Sequence, residues 1–382
     1  MNFKNFKYYF RLYFKYQPRT REQLDILLDR DDVEYEHINV SHISDMSFLF
    51  CSDSSFTKDV DVVTHKLKPN QKGLINWNVS NVIDMRAMFC GASDFNQPIG
   101  NWNVSNVTDM RAMFCGASDF NQPIGNWNVS SVTDMSGMFC GASDFNQPIE
   151  NWDVSNVESM YLLFGRATSF NQPIGEWNVS NVTVMDSMFS GAKAFNHSLE
   201  GWNVSKVTNM REMFMGASSF NSSLEGWDVS NVTDMSGMFC RAKLFDKCID
   251  EWDVSNVTNM SEMFKEAKAF NHPIGNWKVS KVTNMSEMFC GAISFNQPLE
   301  NWNVSNVKNM KEMFKGATSF NQPIENWNVP NVVDMRGMLY DAKSFKQKIP
   351  NWNISYNYNA KEMLNIVRMN LSEIASTLKN GS

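Results

Sequence analysis

Every tryptophan in this chain lies on a single ruler. Trp77, Trp102, Trp127, Trp152, Trp177, Trp202, Trp227, Trp252, Trp277, Trp302, Trp327 and Trp352 follow one another at intervals of 25 residues, without an insertion. A fixed period of that length marks an array of small units, each too thin to bury its own apolar side until a neighbour covers it. Methionine keeps the same ruler, eight residues past tryptophan (Met85, Met110, onward to Met335) and eleven past (Met88, Met113, Met138, with Leu163 as the exception). Phenylalanine occupies the positions twelve past (Phe89, Phe114, Phe139) and eighteen past (Phe95, Phe120, Phe145). The totals of 26 Met, 28 Phe and 12 Trp are therefore one core pattern repeated. The 382 residues read as one long array rather than several globular domains.

Within a unit, Ile99, Trp102 and Val104 sit at i, i+3 and i+5, the strand signature of a leucine-rich repeat. Alternation turns Trp102 and Val104 inward and leaves Asn101, Asn103 and Ser105 outward. Asp109 is placed to cap a short helix, with Met110, Met113, Phe114 and Ala117 on one helical face and Gly116 as its stop. The expected fold class is an α/β solenoid, leucine-rich-repeat-like, with one short parallel strand and one short helix per unit. Strands lie on the concave side, ~4.8 Å apart. Asn121 and its equivalents are expected to form a ladder at the bend, and Ser105 and Asn106 to bond along the turn or between units.

Both ends depart from the ruler. Thr20 and Gln23 fit a capping box opening a helix with Leu24, Leu27 and Leu28 on one face. Ile38 through Phe56 follow the unit with Ile38 in place of tryptophan. The expected layout is a capping region over residues 1–37, a degenerate first repeat over 38–56, an insertion over 57–76, tandem repeats over 77–359 and a closing helix over 360–382. That last helix carries Met363, Leu364, Val367, Leu371, Ile374 and Leu378. The N-terminal stretch puts Lys4, Lys7, Arg11 and Lys15 against Phe3, Phe6, Phe10 and Phe14. It reads either as a membrane-surface helix or, from about Leu12, as cap pairing with the first unit.

A net charge of −7 argues against a duplex nucleic-acid partner, and no apolar run reaches the length of a membrane span. No signal peptide is visible. Six of seven cysteines (Cys51, Cys90, Cys115, Cys140, Cys240, Cys290) fall thirteen residues past tryptophan or Ile38, and Cys248 does not. A tolerated helix-end position in a reducing compartment explains them. Disulfide or soft-metal chemistry is the alternative, without a C-x-x-C spacing to support zinc. The methionine columns read as core filler, and His37, His42, His65, His197 and His272 bring no nucleophile or paired carboxylate with them. No catalytic residue, cofactor or metal is expected.

Charge is uneven around the tryptophans. Outer units carry Asn there, whereas the middle carries Glu150, Asp153, Glu176, Glu200, Glu225, Asp228, Asp250, Glu251 and Asp253. Like charges on neighbouring strands are mildly destabilising, so these nine are the candidate partner-binding residues, set against a face that is merely solvated.

The unit W-[ND]-V-S-N-V-T-[DN]-M-x-x-M-F-x-G-A-x-x-F-N, preceded by K-Y-Q-P-R-T-R-E-Q-L and S-H-I-S-D-M-S-F-L-F, resembles the BspA-like leucine-rich-repeat surface proteins over residues 15–360. Their repeat is also described as a Mycoplasma-type domain of unknown function. The resemblance implies a leucine-rich-repeat-like solenoid, a cell-surface setting, and adhesion or host contact; without a visible leader, a cytoplasmic setting is equally open. The expected function is a monomeric, non-enzymatic interaction solenoid offering a polar to acidic strand face to a protein or glycan. A structural coat or spacer is the alternative.

Overall fold

A computed structural model describes residues 14–58, 60, 62–67, 73–348 and 352 of the chain. The chain divides into two compact units, Met1–Lys206 and Val207–Ser382, each described by itself. In both, successive 25-residue rungs stack in register through parallel bridges between equivalent residues. The first unit runs Asp45–Asp84–Asp109–Asp134–Ser159–Val184, and the second Asn209–Asp234–Asn259–Asn284–Asn309–Asp334.

The core is the one the period foretells. Ile99, Trp102, Val104, Met110, Met113, Phe114, Ala117 and Phe120 are all buried, and Val107 joins them. Phenylalanines of one rung lie face to face, with Phe114 and Phe120 rings 3.9 Å apart. Each also stacks on its copy in the next rung, with Phe89 and Phe114 at 5.8 Å. Tryptophan has a polar task as well. Trp127 Nε1 donates to the Ile99 carbonyl, Trp152 to that of Ile124 and Trp277 to that of Ile249. Each carbonyl also accepts the amide of its own tryptophan, as Ile99 does from Trp102. Both lone pairs of a buried oxygen are thus used.

The rungs differ from the expected strand-plus-helix unit. Ile99–Val104 is a turn, closed by the Trp102 amide on the Ile99 carbonyl, and the bridge forms later, at Asp109. Met110–Ala117 contains no helix. Alternate amides, those of Met110, Ala112, Phe114 and Gly116, donate to the next rung at Asp134, Ser136, Met138 and Cys140. The intervening amides of Met113, Cys115 and Ala117 close tight turns onto Met110, Ala112 and Phe114. The Arg111 amide goes to Asp109 Oδ1. Asp109 therefore does cap an amide two residues on, but at a bridge rather than a helix start.

This zigzag needs a left-handed residue at two places per rung. One is ten past tryptophan, where Ala112 (φ 52°), Leu162 (φ 52°) and Gly137 (φ 62°) sit; the other is fourteen past, at Gly116 (φ 70°). Spacing gives the reason the helix loses. Helices pack at about 8–10 Å, whereas stacked phenylalanine rings repeat at 5.8 Å. A helix of two turns is also marginal by itself. Thin rungs let the phenylalanines within each unit stack on their copies, as Phe114 does on Phe139, while neighbouring carbonyls take the amides a helix would have bonded internally.

The first rung is a true rung. The amides of Met46, Phe48, Phe50 and Ser52 donate to Asp84, Arg86, Met88 and Cys90, the ladder of any later unit. The residues between loop out. Ahead of it, α1 (Arg21–Leu28) is capped by the Thr20 side chain accepting from the Gln23 amide, and buries Leu24 and Leu28. Tyr16 pairs in parallel with Ile38. A further short helix, α2, spans Ser54–Thr57. Lys4, Lys7, Arg11, Phe3, Phe6, Phe10 and the closing helix of residues 360–382 lie outside the described residues. Among the described residues no helix is long and apolar enough to cross a membrane.

Candidate functional site

The nine nominated carboxylates stand on the turn around each tryptophan, two or one residues before it or one after. Buried neighbours such as Ile149 and Trp152 pin the turn and push the residues between them outward. Local bonding explains which types fit. Asn103 Oδ1 accepts the Ser105 amide at 3.2 Å. Asp153, Asp228 and Asp253 do the same for Ser155, Ser230 and Ser255 at 3.1 Å. The turn requires an oxygen at that place and is indifferent to its charge.

The charge is therefore an addition to what the fold demands. Hydrogen bonds from the Ser155 side chain and backbone hold the Asp153 carboxyl below its ordinary range, and Ser255 does the same for Asp253, helped by Lys278 and Lys281. Asp153, Glu176 and Glu200 are exposed in the first unit, as are Glu225, Asp228, Glu251 and Asp253 in the second. Glu150 and Asp250 are half-buried. Asp250 accepts from the Cys248 thiol at 2.7 Å. Glu150 keeps one carboxylate oxygen buried without a hydrogen-bond partner. Among the described residues none of the nine carboxylates forms an ion pair. The nine are shared between the two compact units, Glu150, Asp153, Glu176 and Glu200 in one and the rest in the other.

Two groupings were not anticipated. The bridge column is itself acidic in the first unit, where Asp84, Asp109 and Asp134 are laced by Arg86 and Arg111 at 2.6–3.6 Å. The recurring Asp-Met-Arg triad was its signal. In the second unit Glu287, Cys290 and Glu312 bring three ligand atoms together. Their carboxylates are taken by ammonium groups, with Lys265 at 2.7 Å from Glu287 and Lys315 at 2.8 Å from Glu312. The cysteine file of Cys90, Cys115 and Cys140 does lie on successive rungs, joined at its top by Cys51, all as free thiols. The Asn ladder is present too, each amide donating to the side-chain oxygen one rung back, as Asn146 does to Asn121 at 3.0 Å. Asn106 Nδ2 likewise reaches the Ser80 carbonyl.

The repeats match the model of a family described as "Mycoplasma protein of unknown function, DUF285", at residues 61–173, 145–231, 222–304 and 272–376. The chain belongs to that family. Its matches overlap end to end because each spans several rungs, as a model built on a 25-residue period must. No curated protein matches the chain.

Proposed function

We propose that this member of the family is a non-enzymatic interaction protein of the BspA-like kind, a leucine-rich-repeat-type solenoid in which single bridges and turns replace the usual strand and helix. Its ligand is a protein carrying regularly spaced basic groups, met by the carboxylates beside the tryptophan turns. One observation carries the reading. Asn103 satisfies its turn as well as Asp153 does, yet the middle rungs carry acids that form no ion pair among the described residues. Within each compact unit, in-register stacking repeats those acids at the rung spacing, which favours an extended ligand over a compact one.

The test is binding of a repetitive lysine-rich peptide, followed by fluorescence anisotropy at low and high salt. Exposed pairs contribute about 0.2–1 kcal/mol each. Neutralising Glu176→Gln, Glu200→Gln, Asp228→Asn and Asp253→Asn together should therefore weaken binding roughly tenfold or more, and added salt should weaken the parent likewise. Equal affinity of parent and variant would leave the coat or spacer reading in its place.

A further inference from the structure

We propose that the column Cys51–Cys90–Cys115–Cys140 is a binding site for a soft monovalent metal ion, Cu(I), held two-coordinate between sulfurs of successive rungs, with the Cys115–Cys140 gap as its entry. The position is not one the core reserves for cysteine. Equivalent rungs place Gly165, Ser190, Met215, Lys265, Lys315 and Tyr340 there, a range no packing demand would select. Yet four consecutive rungs carry a thiol, and all four are free.

Register does the aligning. The Ser52, Gly91 and Gly116 amides donate to the Cys90, Cys115 and Cys140 carbonyls at 2.7, 2.6 and 2.7 Å, so the four residues are locked one above another. Paired parallel backbones repeat at ~4.8 Å. A disulfide wants Cβ atoms about 3.5–4.5 Å apart, closer than same-facing residues on adjacent rungs. Two metal–thiolate bonds in line, taken at the ~2.3 Å of zinc–thiolate, span about 4.6 Å, which is close to the rise of a rung. Thiolates alone, with no imidazole or carboxylate, select Cu(I) over harder ions.

The surroundings suit such an ion. Cys51 and Cys90 are buried in an apolar cluster with Phe48, Ala87 and Ala112, and Val62 of the insertion packs on it. Cys115 and Cys140 are half-buried, which leaves a route in. Cu(I) binding displaces the protons of the two ligating thiols to solvent, with no change of oxidation state.

The experiment titrates the full chain with Cu(I), delivered as its acetonitrile complex under anaerobic reducing conditions. It is read by ultraviolet thiolate-to-copper absorption and by competition with bathocuproine disulfonate. The parent should bind. Cys115→Ser with Cys140→Ser, a side chain Ser190 already places in this column, should weaken binding by more than the roughly 100-fold that losing an outer-shell partner costs. Cys248→Ser, away from the column, should change nothing. A readout on the parent chain is independent of variant folding: Cu(I) should protect Cys115 and Cys140 from iodoacetamide, scored by mass spectrometry. Binding that survives the double substitution, or alkylation of Cys115 and Cys140 unaffected by copper, would overturn the assignment.

Discussion

At the scale of single residues, tryptophan is kept because it both fills the rung and supplies a donor to the rung before it. Trp152 is buried and its Nε1 lies 3.2 Å from the Ile124 carbonyl. Trp152→Phe removes that bond and leaves space behind, so the folding midpoint in denaturant should fall by an amount equivalent to roughly 2 kcal/mol. An unchanged midpoint would mean the indole is only bulk. The left-handed positions carry a second expectation. A Cβ added at Gly137 meets only Cys140 Cβ, at 3.8 Å, so Gly137→Ala tests backbone conformation free of crowding. It should cost about 1 kcal/mol in the same measurement. The buried set was legible from the sequence because burial follows the ruler whatever the backbone does. The left-handed residues were not, since Ala112, Leu162 and Glu212 carry no local signal for φ above zero; only the glycines recurring at the places of Gly116 and Gly137 hinted at it.

At the scale of elements, the difference between a helix and a ladder of turns turns on neighbours. Met110, Met113, Phe114 and Ala117 have helical spacing and are all buried, so a reading limited to one unit finds a helix. The partners that decide otherwise, Asp134 through Cys140, lie one period away and cannot be seen inside a single window. The N-terminal cap was better signposted, and Thr20 does cap α1. What holds the insertion to it was missed. His65 is buried and bonds Asp29 through Nδ1 and Asp25 through Nε2, both at 2.8 Å, while Arg21 reaches Asp25 and the Ser47 and Val63 carbonyls. Burial would raise the Asp25 carboxyl, but the hydrogen bonds from His65 and Arg21 outweigh it and hold it below 3.8. A carboxyl depressed on folding stabilises fully above its unfolded value and loses that contribution as pH falls through its folded value. Asp25→Asn should therefore destabilise the cap near neutrality and flatten its loss of stability below pH 3.8, followed by hydrogen exchange of the α1 amides. Parallel acid profiles for parent and variant would contradict this.

At the scale of the whole molecule, one proposition governs both compact units: within each, a rung closes only some of its backbone hydrogen bonds itself and borrows carbonyls from the next for the rest. The sequence made the array and its period legible, and with them the family, because both are carried by identity at fixed spacing. The candidate acids were legible as composition, but not their division between two compact units, which depends on packing rather than pattern. The borrowing itself is visible to nuclear magnetic resonance as scalar coupling through hydrogen bonds, measured on deuterated protein. The amide nitrogen of Ala112 should couple to the carbonyl carbon of Ser136, which accepts its hydrogen at 2.8 Å. Coupling instead to the carbonyl of Thr108, four residues back as in an α-helix, would contradict the account.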